Sequence, residues 1–224
     1  SEGFSDFSAI WYLQSIRNDN IGYNATLAHW RANILLHRGE RAPLSLGHRT
    51  RSSKDENGYW ILVYEKGAWV LHMLRGLLRD LDTMQEDRFG GLMRQFFADH
   101  VGGRASTRDF QVAAEKAYGG SLDWFFDEWV DGSQIPTYRV ANRVVETDGK
   151  FQVTLRVRQQ NVPEQFEMLV PVAVSLTDRS VARFRVRITG LETLVDLPVL
   201  PLKPVNIRFN ALEGVLAEVK LESW

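Results

Sequence analysis

Cysteine is absent from the 224 residues, and that absence removes several kinds of chemistry at once. No disulfide framework, no thiol nucleophile and no thiolate metal site is available. Long apolar runs are missing as well: no stretch of about 18 apolar residues occurs, so no spanning helix is expected. An excess of either charge is also lacking. Twenty-seven basic residues stand against 28 acidic ones, a formal net charge of −1, so nothing points to nucleic acid or to a solvating acidic tail. None of the five histidines has another four residues away, and no His-Glu-x-x-His is present. The opening Ser1-Glu2-Gly3-Phe4 lacks a basic segment followed by an apolar one, so no signal peptide is expected. With no initiator methionine either, the simplest expectation is an excised or processed piece of something longer.

What is present is ordinary core-forming material, 44% hydrophobic and 25% charged, enough to bury a core. The first part reads as helices. Phe4, Phe7, Ala9, Ile10, Leu13 and Ile16 recur at close to 3.6 residues, and a second helix is predicted from Asn24 to His37. Residues 38–58, rich in Arg, Gly, Ser and Pro, read as a surface loop. A strong helical pattern returns from Tyr59 to about Leu81, with Val63, Val70, Leu71, Leu74, Leu77 and Leu78 on one face. Further helices are predicted over Gln85–His100, after Ser106 with a capping box to Asp109, and over Ser121–Trp129, with Gly119 and Gly132 as stops. After Pro136 the period becomes two, as in Phe151–Arg158 and Ala182–Ile188, and Asp148-Gly149 is a hairpin signal. The expectation is α+β in two parts: an all-α helical lobe over 1–133, then an antiparallel β-sandwich over 134–224.

Physics alone assigns plain roles to the residues that stand out. Glu2 in a first helical turn faces the positive end of the helix dipole. Gly67 inside a strong helix costs about 1 kcal/mol relative to alanine and is tolerated where another backbone or side chain must come close. Tyr64, one turn before it, has the pattern of a core tyrosine whose hydroxyl finds a carbonyl. His72 reads as a packing residue. Trp124, Phe125, Phe126 and Trp129 read as an aromatic core cluster between helices and β-domain, and Arg183, Arg185 and Arg187 as the solvated face of a strand.

Taken together and in order, several segments resemble the gluzincin zinc aminopeptidases of the aminopeptidase N type. Glu2-Gly3-Phe4 is similar to the segment that follows their HExxH helix. Tyr64-Glu65-Lys66-Gly67-Ala68, followed by Val70-Leu71-His72-Met73-Leu74-Arg75, is similar to their tyrosine segment. Ser106–Phe110, Glu115, Asp123–Trp129 and Ile135-Pro136 resemble later helices and the passage into a β-domain. The match thins over the β-domain, where Asn210 stands at a position at which an aspartate is common. The resemblance implies that the helical lobe is the C-terminal part of a thermolysin-like catalytic domain. It implies Glu2 as a metal ligand for Zn2+, Tyr64 as the catalytic oxyanion donor, and a peptide as the parent's substrate. The β-domain would brace the helical lobe, and a large C-terminal helical domain is expected to be absent. The two histidine ligands and the general-base glutamate would lie upstream, so the fragment alone is expected to be inactive and to bind no zinc. It is also expected to self-associate, through apolar surface around Phe4, Phe7 and Trp11. The alternative is a non-catalytic family member that acts as a peptide-binding or scaffold module.

Overall fold

The computed structural model describes residues 2–38, 42–50 and 57–224. The chain folds as two units, Ser1–Gln134 and Ile135–Trp224. In the first unit, α1 (Glu2–Arg17) and α2 (Asn20–Leu36) are joined through Asn18 and Asp19. Asn18 takes a left-handed φ of 51°, and Asp19 caps α2 by accepting the Gly22 N–H at 2.7 Å, as a short acidic side chain at that position does. The loop read over 38–58 falls partly outside the described residues, at 39–41 and 51–56. Its described part holds a short 3₁₀ stretch over Leu44–Thr50, kinked at Gly47.

The single helix predicted over Tyr59–Leu81 is two windings. Trp60–Lys66 forms a π turn, and α3 runs on from it over Gly67–Leu78. Gly67 N–H reaches back five residues to Leu62 O. A count at 3.6 residues per turn cannot follow the wider winding, which is why Val63 is only half-buried although it was assigned to the core face. α3 is the centre of this unit: Ala68 to Arg75, Leu77 and Leu78 are all buried, as a helix enclosed on most sides requires.

Around it, α1 sets Phe7 and Trp11 against Phe89 of α4 (Asp87–His100), ring centroids 5.6 and 5.1 Å away. Phe7 is thus fully buried, and Phe4 and Trp11 are half-buried. The apolar surface expected at these three residues is instead at Tyr12, Leu13 and Ile16, on the opposite side of α1. Helix α5 (Thr107–Tyr118) opens with the Ser106–Asp109 capping box and ends at Gly119, φ 85°. A short α6 (Asp123–Phe126) passes into a second π turn over Asp127–Asp131, and Gly132 leaves it extended. Phe125, Phe126 and Trp129 are buried and Trp124 half-buried. His72 is buried as a packing residue, its Nδ1 2.9 Å from the Tyr23 hydroxyl.

The second unit holds β1 (Thr137–Thr147), β2 (Lys150–Gln160), β3 (Glu167–Leu176), β4 (Val181–Thr189), β5 (Glu192–Asp196), β6 (Pro204–Phe209) and β7 (Glu218–Leu221). They form one sheet in the order β5-β2-β1-β7 and another in the order β4-β3-β6. All pairings are antiparallel apart from β1 with β7, which is parallel. Asp148 and Gly149, φ 51° and 72°, make the turn between β1 and β2; both central residues at positive φ give the turn whose twist matches the strands. β3 alternates buried and half-buried along its whole length. The two sheets meet where Tyr138 of β1 stands edge-on to Phe209 of β6, 5.5 Å between centroids. Arg187 is exposed and paired with Glu167 at 2.7 Å. No helix among the described residues is long and apolar enough to cross a membrane.

Candidate functional site

The first residue after Glu2 explains why Glu2 lies where it does. Gly3 meets Gly67 backbone to backbone: a Cβ on Gly3 would stand 2.7 Å from the Gly67 Cα and carbonyl carbon, and one on Gly67 would stand 3.1 Å from the Gly3 Cα. At Gly3 glycine is required for this approach, and at Gly67 a side chain would be tight. The sequence shows a costly glycine in a helix, and the structure supplies the partner that the cost serves. With α1 seated there, its N-terminal turn runs alongside the π turn that carries Tyr64. Such π turns are rare and recur at functional sites.

Tyr59 connects the two candidate residues. Its ring is 4% exposed. Its hydroxyl points at Glu2 Oε1 from 3.5 Å, at the outer limit of a hydrogen bond. Its edge meets the Tyr64 ring at 6.0 Å and 77°. Trp60 lies nearly flat on Tyr64, centroids 4.1 Å apart and planes 32° apart. Glu2 and Tyr64 are both half-buried.

The next two residues of the turn point elsewhere. Glu65 Oε1 accepts from Asn33 Nδ2 of α2 at 3.0 Å. Burial raises the Glu65 carboxyl above its usual range, with the Asn33 bond working against that. Lys66 is 1% exposed and donates from Nζ to Gly132 O at 3.1 Å. Burial pushes its ammonium down to about 8. The ammonium meets the carbonyl end of the second π turn, where a cation is favoured by the unpaired carbonyls of a helix end.

A cavity of about 410 Å3 opens beside Gly3 and Gly67, among Phe4, Val63, Leu71, Leu74, Phe96 and Phe110. Neither Glu2 nor Tyr64 lines it, and among the described residues no lining side chain is an acid or a base. Among the described residues no group of three His, Asp or Glu side chains is placed to hold a metal ion. A catalytic zinc needs three protein ligands, so the residues present do not by themselves fit that ion.

Sequence reasoning singled out Glu2 and Tyr64 but passed over Tyr59 and Trp60. Trp60 and Tyr59 stand four and five residues ahead of Tyr64, and the neighbour relation of residues four apart on a helix is the signal that could have found Trp60.

No family model matches the chain. Over 125 residues it is 31% identical to aminopeptidase N of Escherichia coli, a stretch that takes in 54% of this chain and 14% of that protein. Over 161 residues it is 27% identical to aminopeptidase N of Haemophilus influenzae, 70% of this chain and 18% of that one. The chain spans less than a fifth of the length of these curated relatives. Its fold is shared with the crystal structure of Legionella pneumophila aminopeptidase A in complex with aspartic acid. That match has a TM-score of 0.65 and 17% identity, over 99% of this chain and 24% of that chain.

Proposed function

We propose, from the support that these relatives give to the aminopeptidase N family over part of the chain, that this is the portion of a zinc-dependent aminopeptidase that follows its HExxH segment. The parent removes N-terminal residues from peptides. On this reading residues 1–133 are the end of a thermolysin-like catalytic domain and residues 134–224 a β-sandwich domain. The observation that carries the proposal is the Gly3–Gly67 backbone contact, with Tyr59 touching both Glu2 and Tyr64. Through Tyr59 a carboxylate and a phenol from distant parts of the sequence share a neighbour, which supports reading them as one site.

In the parent, Glu2 is one ligand of a zinc set whose other members lie outside this chain. Zinc supplies Lewis-acid chemistry and lowers the pKa of bound water when it is held. Tyr64 donates its phenol hydrogen to the oxygen that gains charge as the peptide carbonyl is attacked, which is worth roughly 3 kcal/mol of transition-state stabilisation. Tyr59 and Trp60 both pack against the Tyr64 ring. The chain on its own, with one ligand, is inactive.

The test is zinc content and peptidase turnover of the parent beside its Glu2→Ala variant. One zinc per chain in the parent, lost together with turnover in the variant, supports the proposal. A parent with neither zinc nor turnover refutes it, and the fold would then serve peptide binding or scaffolding.

A further inference from the structure

Trp60 is 54% exposed but it is not a stray surface aromatic. Its indole lies against the Tyr64 ring at 4.1 Å, and Tyr59 meets it edge-on at 6.5 Å. Of the two aromatic neighbours of Tyr64, Tyr59 is closed off from solvent and Trp60 is open. One face of the phenol is therefore covered by an indole whose outer surface is free to meet something else.

We propose that Trp60 is a specificity-determining residue: its outer face is the wall against which an apolar or aromatic side chain of the peptide packs while the carbonyl approaches Tyr64. The inference rests on the reading of Tyr64 given above and adds the substrate class. An indole offers a wide apolar surface with a single N–H donor, so it rewards apolar and aromatic side chains and gives little to an acidic one. Stacking on Tyr64 fixes its orientation before any substrate arrives, so little rotamer freedom is lost on binding. An aromatic contact of this kind corresponds to a discrimination of roughly threefold to tenfold.

The experiment is kcat/KM of the parent enzyme on short peptides carrying Phe, Leu, Ala or Lys on either side of the cleaved bond. Wild type is compared with Trp60→Ala and Trp60→Phe. At one of the two positions, Trp60→Ala is expected to lower the Phe and Leu values about fivefold to tenfold further than the Ala value. Trp60→Phe is expected to restore most of the loss. An equal fall on every peptide would make Trp60 a packing residue and overturn the proposal, as would unchanged selectivity. A loss confined to the Lys peptides would overturn the substrate class. Absence of wild-type turnover on all the peptides would instead refute the reading of Tyr64, and this proposal with it. Because Trp60→Phe keeps a ring at this half-exposed position, its urea midpoint should stay near that of the wild type, which separates selectivity from unfolding.

Discussion

Replacing Gly3 by alanine tests the contact on which the site depends. The new Cβ would lie 2.7 Å from two backbone atoms of Gly67 and 3.0 Å from the Ala68 nitrogen. Backbone cannot swing aside as a side-chain tip can, so α1 and α3 must part by roughly 1 Å to reach ordinary contact, at an overpacking cost of about 1–3 kcal/mol. Alanine gains back up to about 1 kcal/mol of helix propensity, which leaves a net loss of about 1–2 kcal/mol. Gly91→Ala is the control. It lies inside α4 and its Cβ would meet nothing within 4 Å, so the same substitution should stabilise by about 0.5–1 kcal/mol. Urea denaturation of the 224-residue chain reads both values. In the parent, the displacement should cost turnover more than stability, because a shift of about 1 Å in a reacting constellation can cost on the order of 100-fold. A Gly3→Ala chain as stable as Gly91→Ala would refute the reasoning.

Lys66 predicts an alkaline gain. Burial holds its ammonium at about 8 in the folded chain against an ordinary 10.5. Between those values the unfolded state binds the extra proton, so stability should rise with pH across that window, by up to about 3 kcal/mol from this group. The rise should vanish in Lys66→Met, as urea midpoints at pH 7 through 10 would show; a wild-type curve parallel to the variant's would contradict it. Asn210 predicts a pH-dependent loss. Its side chain donates to Val215 O at 2.9 Å and accepts from Val215 N at 2.8 Å, and the residue sits at φ 55°. In Asn210→Asp the carboxylate cannot donate and faces a carbonyl, so about 1–3 kcal/mol should be lost near neutral pH. The loss should shrink near pH 3, where the protonated acid can donate again; thermal melts at both pH values decide it.

The parts of the fold legible in the sequence are those with a local cause. Ser106 and Asp109 announce α5 because the capping box lies within four residues. Asp148-Gly149 announces the β1–β2 turn because both residues accept positive φ. The period of two announces the strands, but not that β7 pairs with β1 in parallel, since that depends on a chain returning from far away. The π turn over Trp60–Lys66 was hidden because a hydrophobic count averages across it. At the site, Gly67 was visible as a glycine with a cost to justify, yet nothing in the order of residues named Gly3 as its partner. Asn210, conspicuous as a departure from a common aspartate, gains its meaning only from the two bonds to Val215. Glu2 and Tyr64 were found through resemblance, because a carboxylate at a helix start and a tyrosine in a helix have ordinary structural uses.

The most direct test of the central claim is kcat of the full-length parent for a simple peptide, wild type against Tyr64→Phe. Removing one oxygen leaves the stack with Trp60 and the edge contact with Tyr59 in place. The account predicts a fall in kcat of about 100-fold or more, with KM little changed and the urea midpoint the same. An active wild type whose Tyr64→Phe variant turns over at the same rate would contradict it.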